Sequence, residues 1–250
     1  MTSIDDHDHD HDHELRAIAE ATPKLAVHLA VNAQGAPSME LSGCLPGTGV
    51  NIKDGVAEEN NCSDAPAPRV AIMPTVLVLA SGRGERFTAS GGRVHKLQAL
   101  LAGKPVLRHT LDAVVASGLP WHLEDAGHAG MGDSIAAAVR ATSEAAGWLV
   151  LPGDLPLVSA ETLCAVAAAL TRHAVVIAQF EGVRGHPVGF SRACREGLLN
   201  LKGNQGAAIV IQAQLAMNSV AMLALDDVGI VTDIDTLNDL ERAENLVAAR

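Results

Sequence analysis

From residue 75 to the end of the chain, short apolar runs alternate with stretches of helical spacing. Residues 75–80 form an unbroken apolar run after Thr75, the pattern of a strand buried on both faces. Residues 105–117 read as a helix, because Pro105 suits a first turn, Leu107, Leu111, Val114 and Val115 share one face, and Gly118 stops it. A short strand is expected over residues 121–124 and a helix after Gly132. A buried strand follows over 148–151. Ser159 caps a helix that runs to about Arg172. Another buried strand is expected over 174–180, with a Gly-containing turn after it, and a last helix over about 236–248. Strands alternating with helices of this length predict an α/β fold, a three-layer sandwich on a mostly parallel sheet. No internal repeat is visible.

Residues 1–72 look different. Residues 5–13 alternate Asp with His, a tract that cannot build a core and would bind divalent ions loosely or simply be solvated. A short helix is expected over residues 15–33, and residues 34–70 are rich in Gly, Pro, Ser and Asn without a sustained period, the mark of a linker. The chain is therefore divided into a poorly ordered acidic extension, 1–72, and a folded domain, 73–250. Met73 stands directly before the first strand and is a candidate start codon, which would make the extension an over-extended reading frame. Mass spectrometry of the native protein decides this, since a peptide from residues 1–60 refutes the later start.

Composition narrows the function. Apolar residues make up 48 % of the 250, enough for a sizeable core. Aromatics are 2 % with no Tyr, so a base-stacking platform for single strands is excluded, and a net charge of −11 argues against phosphate-backbone binding. The extension carries 12 acidic and 4 basic residues, the remainder 17 and 14, so the folded part is nearly neutral. Four cysteines, Cys44, Cys62, Cys164 and Cys194, lie far apart with no metal-knuckle or redox spacing. No apolar run is long enough for a membrane span, and the acidic start does not suit a secretory signal. A cytoplasmic protein with neither nucleic acid nor membrane as partner is expected.

Chemistry is concentrated where strands end. Leu79-Ala80-Ser81-Gly82-Arg83-Gly84 follows the first strand, and its backbone N–H groups could cradle an anion, with Arg86 adding a donor fork. The same residues would also make an ordinary strand–loop turn, and they match neither the Walker loop nor the dinucleotide fingerprint. Lys96 ends a glycine-rich stretch and could neutralise a leaving phosphate, or be a plain surface lysine. Asp154 follows the 148–151 strand, where a carboxylate suits Mg²⁺ shared with substrate phosphates, or a turn. Gly130-Met131-Gly132-Asp133-Ser134 opens a helix whose free N–H groups favour a polar or anionic ligand, with Asp133 or Ser134 as the alternative cap. His186 sits in a Gly-His-Pro sequence read as a tight turn, either donating to a substrate phosphate or structural. Asp235 reads as the N-cap of the last helix or as a second metal ligand.

In their order these pieces resemble the nucleotidyltransferases of molybdenum cofactor maturation, in particular the cytidylyltransferase branch. The resemblance runs from about Thr75 to Val247. It rests on Leu79-Ala80-Ser81-Gly82 with Arg86 and Lys96, on Gly153-Asp154, on Arg184-Gly185-His186-Pro187-Val188, and on Asp233-Ile234-Asp235-Thr236. It implies a Rossmann-like nucleotidyltransferase fold, CTP and molybdopterin as substrates, Mg²⁺ as cofactor on Asp154 and Asp235, and a molybdoenzyme or its chaperone as a further partner. It also implies catalytic roles for Lys96, Arg86 and Asp154, nucleotide contacts from Leu79, Ala80, Ser81, Gly82, Gly84, Gly130, Gly132 and Ser134, and a substrate contact from His186. The chain departs from the family in five places. Ser81 does not choose between CTP and GTP, Phe87 and Thr88 replace the usual Met-Gly, the loop to Lys96 is longer, Asn204 and Ala208 stand where Asp and Arg are usual, and residues 118–130 are short enough to lack one sheet element. A guanylyltransferase, or a nucleotide- or metal-binding accessory factor without catalysis, is the alternative reading.

Overall fold

The computed structural model describes residues 73–249. The His-Asp tract, the helix expected over 15–33, the linker at 34–70, Cys44 and Cys62 lie outside them.

The order is β1 (Thr75–Leu79), α1 (Glu85–Ala89), β2 (Leu100–Leu101), β3 (Lys104–Pro105), α2 (Val106–Ala116), β4 (Trp121–Glu124), α3 (Met131–Ala141), β5 (Gly147–Pro152), α4 (Ala160–Ala169), β6 (Val175–Phe180), β7 (Val183–Ser191), α5 (Arg195–Leu199), α6 (Ala208–Ala216), β8 (Val220–Ala224) and α7 (Leu237–Ala248). Six strands form one sheet in the order β4-β1-β5-β7-β6-β8, and β2 and β3 form a separate small hairpin. Within the six, only β7 runs against its neighbours. The expected mostly parallel α/β sheet is what forms.

Alternate residues of the central strands feed two cores, as the two-residue period of a strand requires. Val76, Val78, Leu149 and Leu151 face α2, α4 and α7 through Leu111, Leu163 and Ala243. Leu77, Trp148, Val150 and Ile177 face α3, α5 and α6 through Ile135, Leu198 and Val210. Helices thus cover both faces, giving three layers.

Most expected elements appear with small shifts. The helix expected after Gly132 starts at Met131, and the one capped by Ser159 stops at Ala169 rather than near Arg172. Ser159 does accept the Thr162 N–H. Residues 118–130 contribute a single strand, β4, at the sheet edge.

The turn expected around His186 is corrected: His186 lies within β7, in the interior of the sheet. The turn itself comes earlier, at Glu181 and Gly182, both at positive φ (47° and 84°), as a two-residue hairpin demands. Pro187 has no N–H to donate to a ladder. It is accommodated because β7 pairs with β5 only as far as Val188 and its register with β6 shifts between Ile177 and Gln179.

Asp235 as the N-cap of α7 is likewise corrected. Thr236 is the cap, accepting the Asp239 N–H while the Asp239 carboxylate accepts the Thr236 N–H. A hydroxyl–carboxylate pair three residues apart satisfies two end groups at once. The side chain of Asp235, the residue before the cap, takes no part in capping the helix.

Candidate active site

From β1 the chain crosses to β4 on one side and then to β5 on the other, so a crevice opens at the carboxyl ends of β1 and β5. The register sets Leu79 opposite Pro152. Gly153 N–H donates to the Leu79 carbonyl at 2.9 Å, and Thr110 Oγ1 donates to the Gly153 carbonyl at 2.9 Å. These bonds fix the backbone that carries Asp154. The Asp154 carbonyl then accepts the Ile234 N–H at 3.0 Å, which brings the segment before α7 against the end of β5. Sequence-distant acids meet through that one bond.

The result is a charged cluster. Lys96 Nζ donates to Asp154 Oδ2 at 2.5 Å and to Asp235 Oδ1 at 2.9 Å, and Arg86 reaches Asp235 Oδ2 at 2.8 Å. The Lys96, Asp154 and Asp235 side chains are 13, 14 and 17 % exposed, so solvent screens this cluster poorly. Burial pulls the Lys96 pKa down, but Asp154 first and Asp235 second overcome it and hold the ammonium above its ordinary value. For Asp235 burial pushes upward, and the Lys96 and Arg86 cations outweigh it, so its carboxyl is held low. Asp233 goes the other way, raised by burial and by the charges of Asp235 and Asp154. Asp235 is therefore held toward its ionised form while its neighbour Asp233 is pushed toward its proton.

A cleft of about 880 Å³ opens over this cluster. Leu79, Ser81, Gly82, Gly84 and Arg86 line it from the first loop, Lys96 and Asp154 form its floor with Asp235, and His186 stands on the wall from β7. Gly130 and Ser134 line it from α3, and Ser134 Oγ shares a 2.6 Å hydrogen bond with Ser81 Oγ, tying helix to loop. Ala80 and Gly132 are not among the lining residues. Ala80 donates its N–H to the Glu124 carbonyl. Gly132 instead answers a packing need: a Cβ there would stand 3.0 Å from the Lys202 backbone and the Gly203 carbonyl, and one on Gly130 would overlap Gly203 outright. Asp133 caps none of its own helix but accepts the Gly203 N–H at 2.9 Å.

Burial lowers the His186 pKa against opposing pulls from Val150 and Asp154, and its Nδ1 is buried without a partner. The site thus presents a neutral imidazole rather than a cation. Asp233, His128 and Asn204, none of them assigned a role in the site from the sequence, also line the cleft. Asp233 carried a signal, since it opens the same Asp-Ile-Asp-Thr motif. His128 is held by Glu124, through Nε2 to Oε1 at 3.0 Å, and had no local signature.

Among the described residues no three His, Cys, Asp or Glu side chains form a ready-made metal cage. Mg²⁺ asks for less, one or two carboxylates with phosphates completing its shell. Asp154 Oδ1 is buried with no hydrogen-bond partner, an unspent acceptor near the Asp235 carboxylate, and this donor set fits such an ion. Among the described residues the free thiols, Cys164 and Cys194, lie outside the cleft lining. No helix among the described residues is long and apolar enough to cross a membrane.

Comparisons with known proteins agree with this layout. The family profile described as MobA-like NTP transferase domain matches residues 112–219. The bifunctional protein GlmU of Stenotrophomonas maltophilia (strain K279a) is 30 % identical over 158 residues, 54 % of this chain and 32 % of its own. The chain thus spans about a third of the length of the curated relatives it matches. A nucleotidyl transferase from Methanothermobacter thermautotroptrophicus superposes with a TM-score of 0.60 at 19 % identity, covering 71 % of this chain and 98 % of that one. The molybdopterin-guanine dinucleotide biosynthesis protein A of Archaeoglobus fulgidus gives 0.53 at 18 %, covering 70 % and 100 %, and Rv0371c of Mycobacterium tuberculosis H37Rv gives 0.58 at 22 %, covering 69 % and 98 %. Residues 112–219 match the profile of a MobA-like NTP transferase domain, and the chain shares the fold of the solved nucleotidyl transferase.

Proposed function

We propose that this protein transfers a nucleoside monophosphate, CMP from CTP, to the terminal phosphate of molybdopterin and releases pyrophosphate. An acceptor phosphate oxygen bonds to the α-phosphorus as the bond from that phosphorus to the pyrophosphate oxygen breaks. The observation that carries this reading is the Lys96–Asp154–Asp235 cluster set directly beneath the first loop.

A phosphate monoester is largely dianionic near neutral pH, its second pKa being about 6, so the attacking group needs no general base. What the reaction needs is relief of repulsion between two anions and stabilisation of the departing charge. Arg86 and Lys96 bring positive charge to the same cleft as the loop amides. Asp154 and Asp235 would hold Mg²⁺, which would neutralise phosphate oxygens and align the triphosphate. His186, kept neutral by burial, would meet a phosphate as a hydrogen-bond donor. The likeness to a protein named for molybdopterin-guanine dinucleotide biosynthesis keeps GTP as the second donor to be tried.

The deciding experiment incubates the protein with molybdopterin, Mg²⁺ and each nucleoside triphosphate in turn, with mass analysis of the product. A cytidylyl adduct with stoichiometric pyrophosphate is expected. A guanylyl adduct would move the specificity to GTP, and no pyrophosphate from any triphosphate would end the transferase reading in favour of an accessory role.

A further inference from the structure

His95 lies outside the cleft lining, yet it touches both segments that build the cradle. Its Nδ1 accepts the Leu97 N–H at 3.4 Å, capping the short 3₁₀ turn Lys96–Gln98. That bond leaves the ring proton on Nε2, which donates to the Gly82 carbonyl at 2.7 Å. One imidazole therefore joins the first loop to the turn that carries Lys96. The same ring packs against Gly84, where an added Cβ would lie 3.4 Å from it.

A trans peptide carries its C=O and the next residue's N–H on opposite edges. Gly82 and Arg83 line the cleft and His95 does not, so holding the Gly82 carbonyl on the His95 side turns the Arg83 N–H toward the cleft. We propose that His95 is a positioning residue for the triphosphate: it holds the Gly82 carbonyl away from the phosphates and fixes the first loop to the Lys96 turn. In this chain Lys96 follows Arg86 by ten residues, a stretch closed by His95. A carbonyl left free to rotate into the cradle would set a negative dipole against a polyanion and remove one donor. This inference rests on the nucleotidyl-transfer reading.

The test is isothermal titration of the full chain with inorganic triphosphate and Mg²⁺, alongside pyrophosphate-release kinetics and melting curves. His95→Gln can keep the donor at the Nε2 position, and His95→Ala cannot. His95→Ala should weaken triphosphate binding and raise KM for the nucleotide by about tenfold, with kcat changed less than about threefold, the scale of one lost hydrogen bond. His95→Gln should return both to within about threefold of wild type, and this rescue is what a merely structural role would not show. Wild-type affinity in His95→Ala, or His95→Gln as weak as His95→Ala, overturns the proposal. Should His95→Ala fail to fold, His95→Asn replaces it as the variant whose amide is too short for Gly82; affinity equal to that of His95→Gln then overturns the proposal, and weaker affinity supports it. Wild-type protein that binds no triphosphate and releases no pyrophosphate fails at the parent reading instead, a result distinct from binding that ignores His95.

Discussion

Lys96 exchanges water for two carboxylates, and the exchange is favourable only while both stay ionised and close. Removing one partner has unequal consequences. Asp154→Ala leaves Lys96 paired with Asp235 but deletes the orphaned Oδ1 that fits a metal, so turnover should nearly vanish in a pyrophosphate-release assay while the fold survives. Activity within about threefold of wild type (~0.7 kcal/mol) would contradict the site assignment. Lys96→Ala leaves Asp154, Asp235 and Asp233 facing one another with Arg86 as the remaining cation of the cluster. Its kcat should fall more than its nucleotide KM rises, as measured by steady-state kinetics over CTP concentration. A different acid shows a clean pH effect. Burial pushes the Asp112 pKa up, but hydrogen bonds from Lys104 and Arg108 outweigh it and hold the carboxyl below 3.8. Its contribution is therefore fully present above 3.8 and is lost as pH falls through the lower folded value. Asp112 is 44 % exposed and screened, so Asp112→Asn should cost only about 0.5 kcal/mol at pH 7, and the cost should shrink as pH falls below 3.8, read from melting curves across that range.

Elements place those side chains, and their ends matter more than their middles. The capping box at Thr236 and Asp239 anchors α7 and leaves Asp235 free for the cleft. Thr236→Ala should lower stability by about 1 kcal/mol, or about 2–4 °C in Tm for a domain of this size. It should also loosen Asp235, so KM for Mg²⁺ should rise along with the loss of stability. At the start of α3 the close approach of Gly203 leaves no room for a side chain on Gly130. Gly130→Ala should cost about 1–3 kcal/mol through displacement of residues 202–204, visible as a Tm drop, because overpacking against backbone cannot be relieved by a rotamer change. Asp227 does similar service elsewhere: its buried carboxylate accepts Thr162 Oγ1, the Ser159 N–H and the Gly229 N–H, tying the start of α4 to the segment before residue 230.

Over the whole molecule, stability grades from the sheet interior to its edges. β1, β5, β6 and β7 have partners on both sides, and their residues fill two cores of fully buried side chains such as Leu77, Leu149 and Trp148. β8 pairs only with β6 among the described residues, and α6 beside it buries Val210 while leaving Ile209 58 % exposed. Amide exchange should therefore be slowest in β1 and β5 and fastest in β8 and α6, measured by mass spectrometry of peptides. Exchange in β8 as slow as in β5 would contradict this ordering. The cleft sits over the well-protected end, at β1 and β5, which suits a site that must hold charges still.

The alternation of strand and helix, the parallel sheet and the loop after β1 were legible because each depends on near neighbours: runs of Val and Leu, a Pro at a first turn, a Ser before a helix. β7 was not legible. Its Arg184-Gly185-His186-Pro187 run has turn chemistry, and only pairing with β5 and β6 makes it a strand. Asp235 shows the other limit. Local rules offered it as a cap or as a metal ligand, and in the folded chain Thr236 caps the helix while Asp235 meets Lys96 and Arg86. By itself, then, the amino-acid order determined the fold class and the chemical types gathered near strand ends, since propensity and periodicity act over a few residues. Which of those groups share a charge, lose water or stay unpaired was decided by the folded chain, because electrostatics and burial depend on distances between residues as far apart in sequence as Lys96 and Asp235.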